Sequence, residues 1–356
     1  MSPKILAFTR YDRTGASSRV RFLQYIPHLE HMGAQVTVRQ LLPPDHLNRL
    51  YEGKSRAPLI VAAAMAQRLY YVIRDHNVDI IWLQRELIPF APYFLEKILL
   101  GHQKLVVDFD DAHHLYYKNL PSSLVRSIYG SKVENLMQRA DAVVVGNQNL
   151  AEYAHAAGAT NVKVIPSSVD VRRFKESNNE TPNDFQIGWI GTPVTAKQSL
   201  PIVCEPLIKF LSDFQAKCVL IGVSKEQFPE IPADRLAWSE AVEENILPQL
   251  SVGLCPLDDT PWNRGKSGYK IIQYMASGKP ALVSPVGIAK EIVEHGVTGF
   301  HCTSASDWHS YLTQLYQNPE LRAAMGSRAM TEAKAKYDSA LAAEALYSIF
   351  EECLRD

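Results

Sequence analysis

Short, unbroken apolar runs alternate with longer stretches of helical period along the whole chain. In the first half the runs are KILAFT (4–9), QVTVRQL (35–41), DIIWLQ (79–84), KLVVDF (104–109), AVVVG (142–146) and VKVIP (162–166). Between them, apolar positions recur every three or four residues at Val20–Met32, Leu59–Asp75 and Leu124–Arg139. Continuous apolar strands are buried on both faces, which predicts parallel sheet. The strand–helix–strand repetition makes residues 1–174 a doubly wound α/β unit.

The pattern then stops and restarts. KESNNETPND (175–184) is polar, contains a proline and has no apolar period, so it reads as a linker. After it come FQIGWIG (185–191), KCVLIG (217–222), RLAW (235–238), VGLCPL (252–257), PALVS (280–284) and GFHC (299–302). These predict a second Rossmann-like unit over 185–335. The stretch Pro319–Arg355 is helical in period, and its end, 336–356, is expected to cross back to the first unit. Two α/β units facing across a cleft would place ligands beyond the carboxyl ends of their strands. A motif just after a strand therefore carries more weight than one elsewhere.

Composition narrows the classes. Lys and Arg number 37 against 38 Asp and Glu, so the total charge implies no nucleic-acid partner. The five cysteines, Cys204, Cys218, Cys255, Cys302 and Cys353, form no CxxC pair. That argues against a zinc knuckle or redox motif and fits reduced thiols in the cytoplasm. The start, MSPKILAFTRYDR, lacks a signal-peptide layout. The uncharged stretch Ala57–Gln67 is too short to span a bilayer. The expected location is cytoplasmic, at most peripheral at the inner face of the membrane.

Three segments carry candidate chemistry. In TRYDRTGASSRVR (9–21), Gly15 gives a tight turn, Ser17 and Ser18 can cap a helix, and Arg10, Arg13, Arg19 and Arg21 crowd one loop. Positive charge beside a helix N-terminus suits a phosphate or an acidic substrate, and the absence of GxGxxG argues against a nicotinamide site. In KLVVDFDDAHH (104–114) an apolar strand delivers Asp108, Asp110 and Asp111, then His113 and His114. A phosphatase-type nucleophile is disfavoured because the motif lies at the fourth strand and Ala112 breaks its pattern. A metal-holding DxD is disfavoured because such transferases lack a second Rossmann unit. What remains is a crevice wall, or strand-end acids that cap the following helix.

The third segment is DDTPWNRGKSGYKIIQYMASGKPALVSPVGIAKEIVEHGVTGF (258–300). Gly265, Lys266, Ser267 and Gly268 open a helix whose free N–H groups, with Lys266 and Lys270, can hold a pyrophosphate. Gln273, one turn on, offers an amide to a ribose hydroxyl. Elsewhere, RELIP (85–89) places Arg85 and Glu86 after the third strand, as acceptor contacts or as a surface ion pair. Trp238, closing a strand before Ser239, suits a base-binding wall or a half-buried strand end. The helix at 59–75 reads as a cover for the first sheet or as a contact for a lipid-linked acceptor.

YMASGKPALVSPVGIAKEIVEHGVTGF resembles the donor region of retaining family 4 glycosyltransferases of the GT-B fold. VIPSSVDVRRF (164–174) and IGWIGTP (187–193) are similar to that family's segments flanking the interdomain linker. The resemblance implies two Rossmann-like domains and a UDP- or GDP-linked sugar as co-substrate, with no other cofactor and no metal. It implies transfer, with retention, to a glycan or lipid-linked acceptor hydroxyl, as in cell-envelope polysaccharide synthesis. On it, the donor contacts are Gly15, Ser17, Arg19, Gly191, Thr192, Lys197, Trp238, Ser239, Gly265, Ser267, Gly268, Tyr269 and Gln273. Arg13, Arg85, Glu86, His113 and His114 are expected at the acceptor, and Asp110, Asp111, Lys266 and Lys270 in catalysis. The chain departs from the family's E-x7-E acids at Gly265 and Gln273, and Asp258 or Asp259 could replace the first. A GT-B sugar-nucleotide epimerase and a catalytically silent scaffold subunit are the alternatives.

Overall fold

The computed structural model describes residues 2–51, 58–174 and 185–355; the linker expected at 175–184 lies outside the described residues. The chain divides into two compact units, one of residues 1–167, 265–267 and 339–356, the other of 168–264 and 268–338.

The first unit is a six-stranded parallel sheet: β1 (Lys4–Thr9), β2 (Gln35–Gln40), β3 (Ile80–Gln84), β4 (Lys104–Phe109), β5 (Ala142–Val145) and β6 (Val162–Val164). Its order is β2-β1-β3-β4-β5-β6, so the chain reverses direction of travel between β1 and β3. Every residue of β3 and β5 is buried, as their unbroken apolar runs require. On one face Ile5, Ala7, Trp82, Val106 and Val144 pack against Phe22, Tyr25 and the helix Ser339–Arg355 through Ala343, Leu346 and Phe350. Trp82 anchors this layer, stacked on Phe22 at 3.9 Å between ring centres and edge-on to Phe350 at 5.6 Å.

The single helical period at 124–139 resolves into two helices, Ser123–Tyr129 and Lys132–Arg139, interrupted at Gly130-Ser131. Glycine propagates a helix poorly, and apolar spacing alone could not register the break. Likewise Val20–Met32 is a five-residue π-helical turn, Arg19–Leu23, followed by the helix Ile26–His31.

The second unit repeats the architecture with β7 (Phe185–Ile190), β8 (Ala216–Ile221), β9 (Asp234–Leu236), β10 (Val252–Cys255), β11 (Ala281–Val283) and β12 (Gly299–His301). Its order, β12-β11-β10-β7-β8-β9, puts the reversal between β7 and β10. The helix Pro193–Asp213 covers one face through Leu200, Val203, Leu207 and Phe210. The helix Tyr269–Ala276 covers the other through Ile271, Ile272, Tyr274 and Met275. Tyr274 sits at the reversal: its hydroxyl accepts from the Ile190 N–H (3.2 Å) and donates to the Leu254 carbonyl (3.3 Å). A Cβ on Gly253 would come within 2.3 Å of the Tyr274 ring, so glycine is needed there.

Candidate active site

In the first unit the polar groups gather at the carboxyl ends of β1, β3 and β4, beside the reversal where open α/β sheets bind ligands. The strand-end acids do not cap the following helix, because no side chain caps the helix His114–Lys118. They pair with arginines instead. Asp108 is buried and bidentate to Arg21 (2.9 and 2.8 Å), whose third donor takes the Ile165 carbonyl at 2.6 Å. Asp110 accepts from Arg85 Nη2 at 2.7 Å and Nε at 3.1 Å, and Asp111 accepts from the same Nη2 at 3.2 Å.

Arg85 is held with φ at 64°, a left-handed backbone that costs a non-glycine residue about 1–3 kcal/mol. Burial opposes the Asp110 charge, but the Arg85 guanidinium and the Ser17 hydroxyl outweigh it and hold its carboxyl below the usual range. For Asp111 burial wins, helped by the neighbouring Asp110 charge, and its carboxyl rises to about 6 against the pull of Arg85 and Lys266.

The expected Arg85–Glu86 surface pair is not what forms. The chain turns just beyond β3, at the left-handed Arg85, and each of the two side chains finds its own partners. Glu86 is buried, with Oε1 on His113 Nε2 (3.0 Å) and Oε2 on Lys132 Nζ (2.7 Å) and the Tyr117 hydroxyl (2.6 Å). Both of its oxygens bond side chains inside the unit, one of them His113. Lys132 also bonds Glu96 (2.8 Å) and the Ile88 carbonyl (2.7 Å). Burial works against the Glu86 charge, yet His113 and Lys132 hold it well below the usual carboxylate range. Burial lowers the His113 pKa despite the Glu86 bond. A neutral His113 donating to an ionised Glu86 carries its proton on Nε2, which leaves the Nδ1 lone pair to act as an acceptor. His114 stacks on Tyr153 at 3.6 Å, and burial with the nearby Lys118 charge lowers its pKa to about 4.

The loop after β1 also differs from expectation. Gly15, not Ser17 or Ser18, occupies the cap position, because a Cβ there would lie 2.4 Å from the Tyr11 Cβ. Ser18 is buried and joins Gln84 Oε1 (2.8 Å) to the Tyr11 N–H (3.0 Å). The four arginines do not crowd one open loop. Arg21 is internal with Asp108, and Arg19 is buried with Nη1 on the Arg13 carbonyl at 3.1 Å. Arg13 is exposed, and Arg10 is half-buried, 3.7 Å from Glu86.

Residues 265–267 count with this unit. Asn147, just beyond β5, donates to the Lys266 carbonyl at 2.9 Å. A Cβ on Gly265 would stand 2.7 Å from the Ala112 Cβ, so a glutamate has no room in this arrangement. Asp259 pairs with Arg264 at 2.6 and 2.9 Å, and Asp258 beside it is exposed.

In the second unit the end of β7 carries no acid, whereas β10 is followed by Asp258 and by Asp259, which pairs with Arg264. Gly191 follows β7, and Thr192 caps the helix Pro193–Asp213, its Oγ1 accepting from the Thr195 N–H at 3.2 Å. Lys270, in the first turn of the helix Tyr269–Ala276, lies with Nζ 4.1 Å from the Trp189 ring centre. A Cβ on Gly191 would be 2.4 Å from the Trp189 ring and 2.7 Å from that Nζ, so the glycine lets the turn approach both. Gly268 starts the helix with φ at 69° and no side-chain cap. A helix N-terminus without a side-chain cap, another capped only by a threonine, and an ammonium group make an anion-binding arrangement. Gln273 is buried on the same helix, and its Nε2 has no hydrogen-bond partner. Lys197 is exposed.

Trp238 lies beyond β9, which ends at Leu236, and therefore does not close that strand. Its indole N–H donates to Glu243 at 2.9 Å, and Ser239 caps the helix Glu240–Ile246. Among the described residues, no group of three or more His, Cys, Asp or Glu side chains is arranged to hold a metal ion. Sequence reasoning missed Lys132, Asn147 and Trp189. Only Asn147 had a readable signal, its place directly after a buried strand.

Residues 261–332 match the model of glycosyl transferases group 1. No curated protein matches the sequence. Among solved structures, Anabaena HepE in complex with UDP-glucose superposes with a TM-score of 0.70 at 17% identity, over 98% of this chain and 100% of its own. Sucrose-phosphate synthase from Thermosynechococcus elongatus gives 0.73 at 13% identity over 98% of both chains. A glycosyltransferase from Rickettsia africae gives 0.71 at 16%, over 100% of this chain and 99% of its own. The protein thus carries a group 1 glycosyltransferase segment on a two-domain α/β fold of the GT-B type.

Proposed function

We propose that the protein is a retaining glycosyltransferase that moves a sugar from a nucleoside-diphosphate donor to a hydroxyl of a glycan or lipid-linked glycan in the cytoplasm. The observation that carries this is Lys270, its ammonium group set against the Gly191 turn at the reversal point of the second sheet. A diphosphate there would be met by Lys270 and the N–H groups at the starts of the helices at 193 and 269. Gln273 would offer its unpartnered amide to the ribose, and Trp238, with its N–H held by Glu243, a flat face for the base. The UDP complexes of HepE favour uridine over guanosine.

As the bond from the anomeric carbon to the phosphate oxygen breaks, charge spreads over the diphosphate, where fixed dipoles and lysines stabilise it without a metal. The acceptor oxygen bonds to that carbon from the face the phosphate leaves. Its proton passes to the departing phosphate oxygen, so no strong side-chain base is required. Asp111 and the neutral His113 of the first unit would orient the acceptor, with Arg85 fixing the acids.

The test is calorimetric titration of the protein with UDP and GDP, repeated on Lys270→Ala. UDP binding that the substitution weakens tenfold or more supports the reading. Unchanged binding, or none by the native protein to either nucleotide, overturns it.

A further inference from the structure

We infer that the first unit has a face built to dock on an anionic lipid surface, formed by the outer sides of the helices Pro58–Arg74, Tyr93–Leu100 and Ser123–Tyr129. Large apolar side chains that face solvent are concentrated there. Of sixteen among the described residues, twelve lie between Leu59 and Ile128. Isolated exposed hydrophobics are ordinary, whereas a cluster marks an interaction surface.

The helix Pro58–Arg74 is apolar on both sides. Ala64 and Val72 turn inward, while Leu59 (85% exposed), Tyr70 and Ile73 (67%) stand outward. The neighbouring helix Tyr93–Leu100 exposes Phe94 and Ile98, the latter at 73%. Phe90 meets Tyr116 and Tyr129 edge-on at 5.8 and 6.1 Å and so carries the surface on to the third helix, where Leu124 is 70% exposed.

Charge selects the occupant. The only carboxylate within these three helices is Glu96, which is fully buried against Lys132. Their exposed charges are Arg74, Lys97 and Arg126, all positive. Asp75, just past the first helix, is held by both Arg39 and Arg74. Among the described residues, the Arg126 guanidinium bonds the carbonyls of Leu120 and Pro121 and no carboxylate. Lysine is depleted at protein–protein contacts, whereas aromatic and aliphatic side chains interleaved with cations suit the headgroup–acyl boundary of a negatively charged bilayer. No helix among the described residues is long and apolar enough to cross a membrane, so the face would lie on the bilayer.

This stands apart from the nucleotide reading and is tested apart from it. The full chain is floated with phosphatidylcholine vesicles, with and without phosphatidylglycerol, at low and high salt. Binding to the phosphatidylglycerol vesicles is expected, weakening as salt shortens the Debye length. The pair Ile73→Glu with Ile98→Glu should reduce it at least about tenfold. Lys97→Glu with Arg126→Glu should reduce it while leaving thermal stability and UDP titration unchanged. The inference fails if the native chain ignores anionic vesicles at low salt, or if both variant pairs bind as well as the native chain does. It fails also if light scattering shows a dimer that Ile73→Glu with Ile98→Glu dissolves, since a second copy would then own the face.

Discussion

The two sheets end in opposite ways. At the carboxyl ends of β1, β3 and β4 each acid already has its cation: Asp108 has Arg21, Asp110 and Asp111 share Arg85, and Glu86 has Lys132. At the end of β7 there are Gly191, Thr192 and a helix N-terminus, with the Lys270 ammonium group close to Gly191, and β10 is followed by Asp258 and the Arg264-paired Asp259. The first end is a polar wall whose charges are satisfied internally and whose geometry is therefore fixed. The second is built from helix N-termini and a lysine that lies over the Trp189 ring. On the proposed function, positioning would fall to the first unit and charge stabilisation to the second, so substitutions at the two ends should fail in different ways.

The largest effect should come from breaking the first end. Arg21→Met leaves Asp108 buried without its bidentate partner, and losing one member of a buried pair costs about 3–5 kcal/mol. Urea denaturation should show the unfolding free energy falling by that amount, with a lower midpoint, and the double variant Arg21→Met with Asp108→Leu should recover much of it. A midpoint that does not move would mean the pair is not what holds β4 to the loop after β1.

At the second end the same kind of deletion should spare stability and remove activity. Lys270→Ala is expected to lower turnover by about 10²–10³-fold, the usual loss when one preorganised group at a developing anion is removed. Its melting temperature should stay close to native. Turnover near the native rate would erase the contrast between the two ends.

A finer probe is Gln273. Its buried Nε2 lacks a partner, and an unsatisfied buried donor costs about 1–3 kcal/mol. Gln273→Leu should therefore hold or raise stability while weakening UDP about tenfold, as expected for the loss of one or two hydrogen bonds. Weaker UDP binding together with a lower melting temperature would point to a packing role instead.

How much of this was legible in the sequence follows the range of the interactions. Both sheets were, because a strand buried on two faces writes its burial into four to six consecutive apolar residues. The helix start at 268–270 was legible too, since Gly268, Lys270 and Gln273 lie within six residues. The wall of the first unit was not. Arg21 and Asp108 are 87 positions apart, and Lys132 reaches Glu86 from a helix whose pattern only says that one side is apolar. Lys132 looks from its neighbours like a solvated lysine, yet it is fully buried. The Arg85–Glu86 expectation failed for the same reason: adjacency in the chain suggested a pair, and the left-handed turn at Arg85 sent each side chain to a different partner.

The smallest effect separates the two acids of the wall. Burial and the Asp110 charge raise the Asp111 carboxyl from an ordinary 3.8 to about 6, whereas Arg85 and Ser17 keep Asp110 low. The folded chain therefore holds a proton on Asp111 between those values that the unfolded chain has given up. Stability from this group is fully present below about pH 4 and is lost as pH rises through about 6. Asp111→Asn, unable to lose a proton, should be flat over that window, so its stability relative to native rises from pH 4 to 6. If ionised Asp111 orients the acceptor, turnover should have an acid limb near pH 6 that the asparagine variant lacks, at a lower plateau. Because the two carboxyls share Arg85, the limb belongs to the pair, and removing Arg85 should move it upward, not abolish it. A limb that persists in Asp111→Asn would transfer the titration to another group and leave Asp111 as part of the scaffold alone.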